Sequence, residues 1–215
     1  MNNSLLVLFI TTLLFFLSCT FYQTSNNVVV TPHPLATQVG QSIFELGGNA
    51  FDVAVATGFA LSVVEPSMSG IGGRMQALYF TNDSLGGIDG TTQVPSSYVH
   101  AEYDDGYKFV GIPGVVHGLI KLHESRGNLT LQQLLKPSIE LANNGFKLTR
   151  GNVIRLNMAA SHVQNNSKTD KYFLGDSLFQ IGDTLIQKDL ANVLHEISKY
   201  GIDGFYGGWV AEKIA

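Results

Sequence analysis

A single cysteine, Cys19, stands in 215 residues. That excludes an intrachain disulfide scaffold and any cysteine-built zinc cluster. Charge is scarce as well. Lys and Arg number 13, Asp and Glu 17, together 14% of the chain with a net charge of −4, against roughly a quarter in an average globular protein. No run of Lys or Arg occurs, so an electrostatic nucleic-acid footprint is excluded. A Gly-x-Ser-x-Gly elbow and a Gly-Lys-Ser/Thr phosphate loop are both missing. What is plentiful is glycine, with 23 residues, and apolar surface, with 45% hydrophobic residues including 13 Phe and 8 Tyr. Such a chain orders itself and is long enough to bury a core.

The charge deficit is concentrated at the front. No Asp, Glu, Lys or Arg precedes Glu45. Leu5 to Leu17 forms an apolar run broken only by Thr11 and Thr12. It is shorter than the roughly 18–20 residues of a membrane-spanning helix and has the length of a signal-peptide core. The run ends at Leu17-Ser18-Cys19, and a polar stretch follows. A small residue before the sole cysteine resembles a bacterial lipobox, which would make Cys19 the lipidated mature N-terminus. The expected organisation is a signal peptide over 1–18, a polar linker over 19–30 and a body over 31–215. An uncleaved anchor extended to Tyr22 is the competing reading. Either way the body is expected outside the cytosol, in the periplasm or cell envelope.

In the body, periodicity predicts a helix over Thr37–Leu46 with Val39, Ile43 and Leu46 on one face, stopping at Gly47-Gly48. Phe51–Val64 is apolar nearly all round, the pattern of a buried helix. Two strands are predicted, Met75–Thr81 and Gly87–Asp89, turning at Asn82-Asp83-Ser84. Val116, Leu119, Ile120 and His123 mark a helix ended by Gly127. Thr130 and Gln133 form a capping box for the next one, which ends at Gly145 and should kink or break at Pro137. Leu190, Val193, Leu194 and Ile197 mark a further helix before Gly201, and residues 208–215 begin another.

Little chemistry is legible locally. In Gly70-Ile71-Gly72-Gly73 the dinucleotide fingerprint would need a third glycine where Met75 stands, so close backbone packing beside a site is the better account. His117 and His123 lie about 240° apart around their helix and cannot share one metal. Neither a metal nor a cofactor is expected. Glu102, Asp104 and Asp105 read as a solvated loop rather than a carboxylate pair. Cys19 is too close to the leader to serve as a thiol nucleophile.

Several stretches together resemble the gamma-glutamyltranspeptidase family. Thr31-Pro32-His33-Pro34-Leu35-Ala36 and Gly47-Gly48-Asn49-Ala50-Phe51-Asp52-Val53-Ala54-Val55-Ala56 look like its N-terminal signature. Val64-Glu65-Pro66 with Ser69-Gly70-Ile71-Gly72-Gly73 is similar to its glycine loop, and Val110 to Leu119 to its Pro-Gly helix start. Leu134 to Ala142 with Asn144-Gly145-Phe146, Gly182-Asp183-Thr184-Leu185, and Gly204-Phe205-Tyr206-Gly207-Gly208 continue the match.

The resemblance implies an α+β fold, a helix-rich part of the αββα sandwich of N-terminal nucleophile hydrolases. It also implies a self-cleaving precursor whose new N-terminal Thr attacks a gamma-glutamyl amide, its own amine serving as base. The acyl group then passes to water or to an amino acid or peptide. That Thr is expected beyond Ala215, since Thr130 and Thr184 read as a helix cap and a turn. No catalytic residue is therefore expected within the chain, which corresponds to the front of the large subunit. The partners implied are the missing C-terminal part with the small subunit, a gamma-glutamyl substrate, and a membrane through lipid on Cys19.

One departure bears on substrate. The family carries an Arg-Glu pair after the second strand, its Arg gripping the glutamyl carboxylate; here Thr91-Thr92 stand there, and Arg74 follows the glycine loop. A hydroxyl cannot replace a bidentate guanidinium. The predicted hairpin brings Arg74 opposite Thr92, from which it would reach the vacated site. The competing reading has Arg74 capping the loop or pairing with Asp89 or Glu65. An acylase or polyglutamate depolymerase of altered specificity, and a noncatalytic surface lipoprotein with this fold, stand as the alternative functions.

Overall fold

Helix α1 (Pro34–Glu45) starts ahead of the predicted Thr37 because its N-terminus is built by a histidine and a proline. Pro34 sits where a missing N–H costs nothing. His33 Nδ1 accepts the Leu35 N–H at 3.2 Å. Val39 and Ile43 are buried as expected, and Ala36 with them, whereas Leu46, expected on the same face, lies at the C-cap and is 57% exposed. The computed structural model describes residues 27–81, 83–96, 98, 110–164 and 178–215. The leader with Cys19, the turn residue Asn82, and the stretch containing Glu102, Asp104 and Asp105 lie outside these residues.

Helix α2 (Ala50–Val64) occupies the centre. Asn49 caps it, with Asp52 answering at N3 in a capping box. Phe59, Val55, Val63 and Val64 are fully buried, each contributing about 1.5–3 kcal/mol relative to exposure. A short turn of helix, α3 (Pro66–Ser69), follows. Strands β1 (Met75–Thr81) and β2 (Ser84–Gly90) form an antiparallel hairpin. Met75, Ala77, Tyr79 and Ile88 turn inward against the helices, while Leu78, Phe80 and Leu85 face outward. The second strand is longer than predicted. Its glycines hid it from propensity, but pairing with β1 supplies the missing preference.

Helices α4 (Val115–Arg126) and α5 (Leu131–Asn144) flank α2. The predicted break at Pro137 does not occur; α5 is continuous through it. Proline removes one backbone bond at a cost of about 3 kcal/mol. Burial of Leu134, Leu135 and Ala142 offsets that loss. Gly145 then ends the helix at a φ of +81°, a conformation only glycine adopts freely. Beyond it lie β3 (Phe146–Lys147), α6 (Arg150–Gln164), β4 (Thr184–Leu185) paired with β3, α7 (Lys188–Tyr200), α8 (Asp203–Tyr206) and α9 (Gly208–Ile214). Helix α6 has weak hydrophobic periodicity and was not legible. Its start is a reciprocal cap, Asn152 N–H to Thr149 Oγ1 at 3.2 Å and Thr149 N–H to Asn152 Oδ1 at 3.0 Å. The architecture is the expected helix-rich α+β type, with helices on one face of a two-stranded piece of sheet.

Candidate functional site

The C-terminus of α2 has no glycine to reverse the chain, and its last carbonyls would be orphaned. Distant amides cap them instead. Gln187 Nε2 donates to Val63 O at 2.9 Å and Asn152 Nδ2 to Val64 O at 2.8 Å. Asn152 is in turn held by His33, whose Nδ1 accepts from Leu35, so Nε2 carries the proton that points to Asn152 Oδ1 at 3.4 Å. The next residue, Glu65, is buried, and Arg155 meets its carboxylate with Nη2 at 3.1 Å and Nε at 3.3 Å. These contacts fix where the glycine loop begins.

The loop's other end is fixed by α4. Gly73 O accepts the N–H groups of Gly114 at 2.9 Å and Val115 at 3.2 Å. Between its ties the loop is open: nothing lies within 4 Å of a Cβ built on Gly72. A Cβ on Gly70 or Gly73 would lie 3.3 Å from the backbone oxygens of Pro66 and Gly70, and the tightest packing beside the loop is made by Gly114 and Gly118, where a Cβ would overlap the Gly90 carbonyl oxygen and Met75 Sδ respectively. The loop thus borders an open groove of about 960 Å³, lined among others by Thr57, Leu61, Ser69, Gly72, Arg74 and Gln76.

The hairpin sets the neighbours of Arg74. Thr81 pairs with Ser84, so the turn is one residue tighter than predicted, and the terminal pair is Met75↔Gly90. The paired ladder ends there; its register, continued one step, would set Arg74 against Thr91 rather than Thr92, and a one-residue shift exchanges faces. Arg74 and Thr91 are both exposed, while Thr92 is half-buried beside Gly111. Arg74 lines the groove; Thr91 and Thr92 do not. Pairing of Arg74 with Glu65 or Asp89 is not found: Glu65 belongs to Arg155. The Asp89 carboxylate accepts from the Thr91 hydroxyl and backbone N–H and from Gln76 Nε2. The Thr91 hydroxyl first, and then Gln76, hold the Asp89 carboxyl below its ordinary range.

Thr91–Gln93 is secured from behind. Gln93 and Ile112 exchange two backbone bonds, at 3.1 and 2.8 Å. Tyr206 Oη donates to Pro113 O at 2.7 Å and accepts the His117 N–H at 3.2 Å. Burial raises its phenol pKa. Thr130 Oγ1 accepts the Gln133 N–H as a helix cap, and Thr184 lies in β4, so neither is presented as a nucleophile. Tyr206, Arg155 and Asn152 were missed. The Thr149-x-x-Asn152 cap was a readable signal; the long-range partners left none.

The sequence model described as Gamma-glutamyltranspeptidase matches residues 36–215. A glutathione hydrolase proenzyme of Pseudomonas sp. (strain A14) is 36% identical over 204 residues, covering 88% of this chain and 36% of that protein. The capsule biosynthesis protein CapD proenzyme of Bacillus anthracis is 35% identical, over 87% of this chain and 34% of its own length. The chain thus spans about a third of these relatives. The crystal structure of Helicobacter pylori gamma-glutamyltranspeptidase superposes with a TM-score of 0.84 at 36% identity, covering 89% of this chain and 59% of that one. Matched by that family's model from residue 36 to residue 215, this chain belongs to the gamma-glutamyltranspeptidase family.

Proposed function

We propose that the chain is the front part of the large subunit of an exported proenzyme that hydrolyses or transfers gamma-glutamyl groups of glutathione and related amides. The observation that carries this reading is the family match over residues 36–215. In the proposed reaction an N-terminal Thr, freed by self-cleavage beyond Ala215, gives its hydroxyl proton to its own amine and attacks the amide carbonyl. The amine leaves protonated, and water or an amino acid or peptide takes the acyl group.

Within this chain Arg74, Thr91 and Thr92 are the proposed substrate contacts. What supports Arg74 is the register, which continued one step past Met75↔Gly90 would set it against Thr91, together with its place on the groove. A guanidinium there offers a glutamyl carboxylate the charge that Thr91 lacks. A second reading, an acylase or polyglutamate depolymerase of the same family, is favoured by Thr91-Thr92 standing in place of Arg-Glu. Missing parts of the proenzyme, with the small subunit, are the proposed partners. Lipid on Cys19 would hold the enzyme at the cell envelope, a proposal supported by the apolar run ending at Ser18-Cys19.

The complete proenzyme, assayed against gamma-glutamyl amides, poly-gamma-glutamate and other acyl amides, separates the readings. Release of the gamma-glutamyl group with appearance of a new N-terminal Thr is expected. Turnover of other amides alone would favour the second reading, and absence of both cleavage and turnover would overturn an enzymatic role. The mass of the mature N-terminal peptide tests Cys19 lipidation.

A further inference from the structure

We infer that Tyr206 is a positioning residue for the segment Thr91–Gln93, acting through the Pro-Gly turn at the start of α4. The inference rests on the reading that Thr91 and Thr92 border the substrate site.

The need for such a residue begins at Gly114. It is the N-cap of α4, and its missing side chain leaves the helix without a local cap. A capping side chain has no room, because a Cβ on Gly114 would overlap the carbonyl oxygens of Gly90 and Thr91. The same close approach that seats α4 on the end of β2 therefore strips the helix of its N-cap. The Tyr206 hydroxyl replaces it from 89 residues away, accepting the His117 N–H. Through its proton it also binds Pro113 O on the near side of the turn. One oxygen thus holds both flanks of Gly114. The ring is kept in place by edge contacts with Phe205 at 4.9 Å and His117 at 6.3 Å.

The consequence reaches the site through one short link. Ile112, immediately before Pro113, carries the two-bond bridge to Gln93. This bridge is isolated from the β1–β2 ladder, which ends at Gly90. Helix α4 is anchored independently by Val116, Leu119 and Ile120 in the core. Loss of the hydroxyl would leave Pro113 O and His117 N–H to seek water. With the Gly114 and Val115 N–H groups still held by Gly73 O, the freed part of the turn is Pro113, which would carry Ile112 and with it Gln93. Tyr206 makes no hydrogen bond to Thr91 or Thr92 and acts only through this chain of contacts.

The test is Tyr206→Phe in the complete proenzyme. The donor KM is expected to rise roughly three- to tenfold with kcat changed by less than about twofold. Independently of activity, the Gln93 and Ile112 amides should exchange hydrogen at least about tenfold faster while α1 and α5 amides stay as in the parent. Ile43→Val, which weakens the distant core, should move neither readout. Gln93→Pro deletes the Gln93 N–H bond to Ile112 from the other side and should reproduce the KM rise even if Tyr206→Phe accumulates poorly. Unchanged KM, unchanged Gln93 exchange, or uniform acceleration across all helices would overturn the positioning role. A parent proenzyme inactive on every gamma-glutamyl donor would sink the functional reading instead, with the exchange experiment still deciding this one.

Discussion

The carboxylate of Asp52 accepts the backbone N–H of Asn128 at 3.0 Å, joining the first turn of α2 to the loop that leads into α5. Asp52 is completely buried, and its two oxygens also take the N–H groups of Asn49 and Leu129 at 2.9 and 3.2 Å. An acidic residue in the middle of an apolar signature is therefore a four-way tie: helix cap, helix dipole partner, and clamp for two loop amides.

Replacing Asp52 by Ala leaves those amides without acceptors. At about 1–3 kcal/mol for each unsatisfied buried donor, with partial relaxation, a loss of about 3–5 kcal/mol is expected. Asp52→Asn retains an acceptor oxygen and should lose less. Urea unfolding of the two variants checks the order; equal losses would refute the clamp.

Arg155→Met strands the Glu65 carboxylate at the end of α2. Breaking a fully buried pair costs about 3–5 kcal/mol. The Arg155 side chain is 39% exposed, so solvent screening lowers the expectation to about 2–3 kcal/mol. Glu65→Leu with Arg155→Met should be less destabilising than Arg155→Met alone. A double-mutant cycle measures this, and additive effects would show that the two side chains act separately.

Ser138 lies beside Pro137 in α5 with its hydroxyl buried and, among the described residues, without a hydrogen-bond partner. Ser138→Ala removes the desolvated oxygen and restores the better helix former. A gain of up to about 1 kcal/mol is expected in thermal or urea unfolding. A clear loss would mean that the hydroxyl is bonded.

Burial raises the Tyr206 phenol above its ordinary pKa of about 10. The folded state therefore holds this proton more tightly than the unfolded chain. The stability it contributes is fully present below the unfolded value and is lost as pH rises through the folded one. The parent should lose stability more steeply above pH of about 10 than Tyr206→Phe, and parallel pH profiles from urea titrations would contradict the half-buried phenol account.

Arg74→Ala in the complete proenzyme should raise the donor KM by roughly tenfold or more, with kcat little changed, because carboxylate binding is shared by ground and transition states. Arg74→Lys should recover only part of it, since an ammonium lacks the bidentate fork. Unaltered KM would remove Arg74 from the substrate contacts.

Much of this molecule is written locally. The caps Asn49/Asp52 and Thr130/Gln133, the stop at Gly145 and the all-round apolarity of α2 act within a few residues, so the sequence by itself determined most helices. The six signature segments, in order, determined the family. What only the tertiary structure decided lies between distant residues. A hairpin turn one residue tighter shifted the register, whose continuation sets Arg74 against Thr91 rather than Thr92, and Glu65 took Arg155 rather than Arg74. Gly114 surrendered its cap to close packing and received one from Tyr206. The Glu65 and Gly114 cases turn on polar groups left without a local partner. Which partner each finds depends on the packing of elements some 76 to 93 residues apart, and local pattern does not encode that choice.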